Sequence, residues 1–111
     1  MNSPIIQIDG SRISDWESFH TEFARIFGFP EFYGRNMNAW LDCMTSLDED
    51  DGMRSVTIQP GEILTVQINH YKDLKERCPE IAIAILECSA SVNARRIEQG
   101  EPAALALSLG D

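Results

Sequence analysis

The chain has few basic residues: nine lysines and arginines stand against 18 aspartates and glutamates, so the formal net charge is −9. A protein that binds nucleic acid needs cationic groups to neutralise phosphates, and this balance therefore argues against direct nucleic-acid binding. An acidic protein instead attracts basic partners, because opposite fields steer their encounter. Many cytosolic proteins are simply acidic, so the charge alone leaves both interpretations open.

Long hydrophobic runs are also missing. No apolar stretch approaches the ~18 residues that a membrane-spanning helix needs. The N-terminus lacks a basic region followed by a long apolar run, so we expect no signal peptide, no membrane association and a cytoplasmic protein. The 111 residues, 43% of them hydrophobic, suffice for one domain with one core, and we assign a single domain to residues 1–111.

Patterns typical of catalytic and metal sites are scarce. The three cysteines lack metal-ligand spacing and are expected to be reduced thiols: Cys43, Cys78 and Cys88. His20 and His70 fall on different predicted helices, and neither has the neighbours of a nucleophile and base. No glycine-rich phosphate loop is present. We expect no enzyme activity, metal or cofactor, and a small enzyme using Asp42, Cys43 or a histidine is the least favoured hypothesis.

Apolar patterning predicts a small α/β fold. Three strands are expected, at Pro4–Ile8, Ile63–Ile68 and Ala103–Leu109, with a weak edge strand at Arg54–Gln59. Four helices are expected, at Ser14–Phe27, Asn36–Leu47, His70–Cys78 and Pro79–Glu98. Long helical connections suit parallel strands joined by right-handed crossovers. The prediction is a three-stranded parallel sheet packed with about four helices, its last strand buried on both faces and its last helix central.

Residues at the expected helix starts give specific predictions. Ser14 and Glu17 have the spacing of a capping box, in which each side chain bonds to the backbone N–H of the other. Asn36 and Asn69 are each predicted to cap the helix that follows. Pro79 fits the first position of the last helix, where its missing N–H costs nothing.

The most informative stretch runs from Pro30 to Leu47. Pro30 ends the preceding segment, and Gly34 is expected to adopt a backbone conformation closed to other residues. An apolar stripe at helical spacing then marks the buried side: Met37, Trp40, Leu41, Met44 and Leu47. The opposite side, here named the acceptor face, consists of Asn38, Asp42 and Thr45. An acidic run, Asp48–Asp51, follows and is expected to be a solvated, mobile loop.

This stretch resembles the barstar family, the small intracellular inhibitors of bacterial ribonucleases. The similarity is carried by Phe32-Tyr33-Gly34-x-Asn36-x-Asn38-Ala39 and then by Asp42-Cys43-Met44-Thr45. The family typically shows an aromatic residue followed by Tyr-Gly-x-Asn-x-Asp-Ala, and then Asp-Cys-Leu. The order of elements and the chain length agree as well, so the resemblance covers nearly the whole chain.

The resemblance implies an inhibitor, immunity protein or antitoxin that is monomeric when free and that blocks the active site of a basic ribonuclease or toxin. In the family, the loop and helix that match this stretch enter the enzyme's active site. The implied partner-binding residues are Phe32, Tyr33, Gly34, Asn38, Leu41, Asp42 and Thr45. Asp42 would stand in for the RNA phosphate and accept hydrogen bonds from the enzyme's Arg, Lys or His groups.

Departures from the family pattern favour a diverged target. Asn38 occupies a position that is commonly Asp, Phe32 a position that is often Tyr, and Leu41 one where a surface tryptophan occurs. Near the end of the last helix, Arg95 or a neighbour lies where a glutamate contacts the enzyme. A second hypothesis is therefore an interaction module of the same fold whose partner is not a ribonuclease.

Overall fold

The computed structural model describes residues 4–49 and 56–110. Its strands are β1 (Ile5–Asp9), β2 (Leu64–Asn69) and β3 (Leu105–Leu109), and its helices are α1 (Trp16–Phe27), α2 (Met37–Thr45), α3 (Tyr71–Arg77) and α4 (Pro79–Glu98). A short 3-10 turn, Gly10–Arg12, follows β1. This order confirms the predicted α/β fold with a three-stranded parallel sheet and four helices among the described residues.

The sheet has the order β1-β2-β3, and both pairings are parallel. Alternate residues of β2 are buried, which places Leu64, Val66 and Ile68 on the face that carries the core. Gln67 and Asn69 lie on the opposite face, where Asn69 donates a hydrogen bond to Gln7 of β1 at 3.2 Å. The sheet thus carries the core on one face and mostly polar residues on the other.

The core joins this apolar face to the aromatic residues of α1. Phe19, Phe23 and Phe27 are fully buried, and Trp40 of α2 packs edge-on against Phe23 with a centroid separation of 5.6 Å. Trp16, at the start of α1, is 39% exposed. Burial of an apolar stripe rather than helix propensity stabilises such short helices, so α2 depends on this contact for its position.

Two of the predicted helix caps are wrong. The N-cap of α1 is Asp15, whose carboxylate accepts a hydrogen bond from Ser18 N. The Ser18 hydroxyl in turn accepts a hydrogen bond from Asp15 N. The capping box therefore lies one residue later than the predicted Ser14–Glu17. Asn69 does not cap α3, because its side chain bonds across the sheet. The N-cap there is His70, in the left-handed backbone region at φ 58°.

The C-terminal half corrects two further predictions. Helix α4 starts at Pro79 as expected, but it is not central: Ile83 is 50% exposed and Leu86 39% exposed on its outer side. Strand β3 is an edge strand rather than one buried on both faces, and Leu109 is 46% exposed. Arg54 and Ser55 of the weak strand prediction lie outside the described residues, and residues 56–59 are not in a strand.

Within the part of the chain that the structure describes, no helix has both the length and the apolar character needed to cross a bilayer.

Candidate partner-binding site

The start of α2 is fixed by Asn36, as the sequence predicts. Its side-chain oxygen accepts from Ala39 N at 2.8 Å, and its side-chain nitrogen donates to Gly34 O at 3.2 Å. Gly34 is not left-handed, which corrects the expected reason for a glycine there; the left-handed residue is Arg35, at φ 52°. A Cβ on Gly34 would lie 3.2 Å from the Asn36 side-chain nitrogen and would crowd the cap.

Arg35 ties the loop before α2 to α1. Its guanidinium donates to Glu17 O at 2.8 Å and to the Thr21 hydroxyl at 2.7 Å. These bonds hold a backbone conformation that non-glycine residues rarely adopt. The sequence alone gave no reason to select this arginine, because its partners lie 14 and 18 residues away on another helix.

Tyr33 lies beneath the same loop. It is 9% exposed, and a 2.6 Å hydrogen bond joins its hydroxyl to Nδ1 of the buried His20. Burial raises the pKa of Tyr33 well above its ordinary value. The pKa of His20 is lowered, mainly by burial and to a smaller extent by the positive charge of Arg35. The pair is therefore neutral near pH 7 and supports the loop from inside, so Tyr33 offers a partner little surface.

Phe32, next to Tyr33, has the opposite environment. Its side chain is 82% exposed, the highest value among the large hydrophobic residues that the structure describes as exposed. Leu41 is half-buried and packs against the core. An exposed aromatic residue beside a polar face is a common feature of protein–protein interfaces, where aromatic residues contribute much of the affinity.

The acceptor face lies on the outside of α2. Asn38 and Asp42 are exposed and Thr45 is half-buried. The Thr45 hydroxyl donates to Leu41 O at 2.6 Å, within its own helix. Asp42 is paired within the chain: Nη1 of Arg95 donates to its Oδ1 at 2.9 Å, and the two side chains are 41% and 75% exposed, respectively.

A second arginine of α4 anchors the end of α2. The Arg96 side chain is 4% exposed, and its Nη1 and Nη2 donate to the two oxygens of Asp48, each at 3.1 Å. It also donates to Thr45 O at 2.8 Å and to Pro102 O at 2.9 Å. The bonds from Arg96 hold the pKa of Asp48 below its ordinary value. Asp48 is thus a fixed residue rather than part of a mobile loop, whereas Asp50 and Asp51 lie outside the described residues.

Between α2 and the end of α4 lies a polar cavity of about 360 Å³. Its walls include both ion pairs and the exposed residues Glu49, Gln99 and Glu101. Four carboxylates and two guanidinium groups meet here, and Arg95 and Arg96 are engaged by Asp42 and Asp48. The remaining acidic groups face solvent, which leaves this side of the molecule open to basic groups of a partner.

The family model described as Barstar (barnase inhibitor) matches residues 3–108, nearly the whole chain. The chain belongs to the barstar family. The sequence resemblance is thereby confirmed, and barstar-family proteins are ribonuclease inhibitors rather than enzymes. A comparison with curated proteins gives no match.

The loop and helix that resemble the barstar family expose the predicted residues to different extents. Phe32, Gly34, Asn38 and Asp42 are exposed, Leu41 and Thr45 are half-buried, and Tyr33 is buried. Sequence reasoning placed Arg95 or a neighbour at a position where the family contacts the enzyme, and it missed the contacts of Arg95 and Arg96 with the region around α2. In the described residues, no group of three or more His, Cys, Asp or Glu side chains is arranged to hold a metal ion.

Proposed function

We propose that this protein is an immunity protein that occludes the active site of a basic ribonuclease-type toxin in the cytoplasm. The proposed contact surface is the acceptor face together with Phe32 and Gly34. The observation that carries the proposal is the carboxylate of Asp42, 75% exposed on a helix whose start is capped by Asn36 and whose far side is packed on the core. Family membership supports a ribonuclease as the partner.

The chemistry of RNA cleavage explains why such a surface inhibits. A ribonuclease must present cationic groups to stabilise an anionic transition state. A carboxylate fixed on a helix accepts charge-assisted hydrogen bonds from those groups without losing much conformational freedom. Asp42 then takes the place of a substrate phosphate, while Asn38 and Thr45 offer neutral oxygens beside it. The acidic charge of the whole chain speeds encounter with a basic enzyme.

Phe32 supplies the apolar part of the proposed contact. An exposed ring gains free energy when it enters a pocket on the partner, and the surrounding polar residues then exclude water from the charged contacts. Leu41, which is half-buried on α2, offers further apolar area. Tyr33 contributes by supporting the loop, since its hydroxyl is already bonded to His20.

The test uses a basic ribonuclease whose RNA cleavage the wild-type protein inhibits, sought first among the products of genes beside its own. Asp42→Arg should abolish inhibition of its RNA cleavage, because the variant presents a cation to a cationic cleft. The control is Glu76→Arg, which makes the same charge change at an exposed position of α3 and should inhibit like the wild type. Equal inhibition by the wild type and Asp42→Arg would remove Asp42 from the contact surface.

A second candidate function is an interaction module whose partner is not a ribonuclease. The observation that favours it is the acceptor face itself, which has one carboxylate, Asp42, already paired with Arg95. Ionic strength separates the two candidates. A charge-steered inhibitor should associate markedly more slowly as salt rises from about 0.05 to 0.5 M, because exposed charges are screened. A salt-insensitive association rate with the natural partner would favour the module.

A further inference from the structure

Asp42 is already occupied in the free protein. Arg95 reaches it from α4, 53 residues later in the chain, with a 2.9 Å hydrogen bond. Any partner group that approaches this carboxylate therefore meets a guanidinium group that belongs to the inhibitor. A cation of the partner must either share Asp42 with Arg95 or displace it.

The exposure of the pair indicates that displacement is feasible. Exposed ion pairs contribute little to stability, because water solvates both charges when they separate. With 41% and 75% of the two side chains exposed, the Arg95–Asp42 pair is of this kind. Asp48 is a poorer alternative acceptor for Arg95, since both of its oxygens already accept from Arg96.

A displaced Arg95 would then lie at the edge of the partner's cleft. If that part of the partner carries only cations, the guanidinium is pressed against like charge in a region from which water is being excluded. Such contacts are costly, and proteins use them to reject wrong partners. A partner carboxylate at this position would instead receive Arg95 as Asp42 receives the partner's cation.

We propose that Arg95 determines partner choice: it selects an enzyme that presents a cation to Asp42 and a carboxylate to Arg95, and it disfavours enzymes that present only cations there. This inference rests on the proposed function, because it assumes that the acceptor face enters an active site. It adds the requirement that the Arg95–Asp42 pair opens and that each of its members forms a new ion pair with the partner.

Barnase, the ribonuclease named in the family description, is the probe for the first experiment. Its RNA cleavage is titrated with the wild type, Arg95→Gln and Arg95→Glu. As a ribonuclease, barnase must hold RNA phosphate with cationic groups, so it serves as an enzyme that presents cations to both Asp42 and Arg95. Removing the guanidinium should then tighten inhibition on the order of tenfold, and the glutamate should tighten it further. The matched control is Arg12→Gln, which removes another exposed arginine from an ion pair, with Glu22 at 3.4 Å, and changes the net charge equally. It should alter inhibition less than about twofold.

A second experiment tests whether Arg95 acts through Asp42. Asp42→Asn is introduced into the wild type and into Arg95→Gln, and inhibition of barnase is compared. The loss should be larger in the Arg95→Gln background, where Asp42 has no internal partner to give up. Equal losses in the two backgrounds would show that the two residues act independently in binding, and the inference would fail.

Two further outcomes would overturn the inference. Unchanged or weaker inhibition by Arg95→Gln would show that a displaced Arg95 does not weaken binding to a cationic cleft, for example because Glu49 or Glu101 accepts its hydrogen bonds. Failure of every variant to inhibit barnase would show that Arg95 is not what selects the partner. Neither outcome touches the proposed function, which depends on the Asp42→Arg experiment with a ribonuclease that the wild type inhibits.

Discussion

Arg95 and Arg96 are adjacent on α4, yet they form ion pairs of opposite character with the region around α2. The Arg96 side chain is 4% exposed and its partner Asp48 17% exposed, whereas Arg95 and Asp42 are 41% and 75% exposed. Arg96 also satisfies two backbone carbonyls. Because one residue turns a helix by about 100°, the first side chain reaches solvent and the second enters the protein.

This difference separates two roles that a charged pair can have. A buried charge must keep its partner, since removing one member leaves the other desolvated and unpaired. An exposed pair can open at little cost because water replaces the lost contact. Arg96 is therefore suited to fixing the end of α2, and Arg95 to changing partners at Asp42. Three measurements on the free protein can break or sharpen this comparison.

The largest effect is expected from Arg96→Met. It leaves the Asp48 carboxylate and the carbonyls of Thr45 and Pro102 without their donor, so the free energy of unfolding should fall by about 3–5 kcal/mol. Arg95→Met is the matched control, and it should change this free energy by less than about 1 kcal/mol. Urea unfolding followed by circular dichroism measures both. Similar losses for the two variants would contradict the contrast between them.

Asp48→Asn should have an intermediate effect. It removes the charge that Arg96 neutralises, and we expect a loss of about 1–3 kcal/mol at pH 7. The pKa of Asp48 is lowered in the folded state, from an ordinary value of 3.8. Its contribution is therefore complete above that value and is lost as the pH falls through the folded-state pKa.

Unfolding experiments between pH 7 and pH 2 can check this linkage. The stability difference between the wild type and Asp48→Asn should be constant near neutrality and shrink below about pH 4. A difference that stays the same down to pH 2 would mean that the Arg96 bonds do not favour the ionised form of Asp48.

The smallest effect concerns salt. Raising the ionic strength from about 0.05 to 1 M should remove most of the stabilisation that Arg95 and Asp42 give each other, because exposed charges are screened. The coupling between Arg96 and Asp48 should persist, since that pair is largely shielded from ions. Double-mutant cycles on the free energy of unfolding at both salt concentrations provide the measurement. Loss of both couplings at high salt would show that the two pairs are equally accessible.

Local patterns predicted much of the fold. Asn36 was identified as a cap because its interaction is confined to three residues of chain, and Pro79 because its ring excludes it from a helix interior. The strand predictions held where β-branched residues accumulate in β2. The errors at Ser14 and Asn69 arose because a neighbouring residue, Asp15 or His70, took the cap position, and sequence spacing does not decide between adjacent candidates.

The candidate site was less accessible to sequence reasoning. The contacts of Arg95 and Arg96 join residues 48 to 53 positions apart, and a two-residue Arg-Arg sequence contains no sign that one member is buried. The position of Arg96 on the helix did indicate its burial. Arg96 continues the buried positions Ile85, Ser89 and Val92 at spacings of four, three and four residues, and extending the apolar stripe to charged residues would have found it.

Arg96 also determines how much of the chain must be synthesised before the end of α2 is held in place. Arg96, which holds the end of α2, follows Thr45 by 51 positions. Its guanidinium also donates a hydrogen bond to the carbonyl of Pro102, which lies just ahead of the last strand. A nascent chain whose last strand is still inside the ribosome has therefore made α2 but cannot yet secure it. The end of α2, which carries the proposed contact surface, is therefore secured only after Pro102 has left the ribosome.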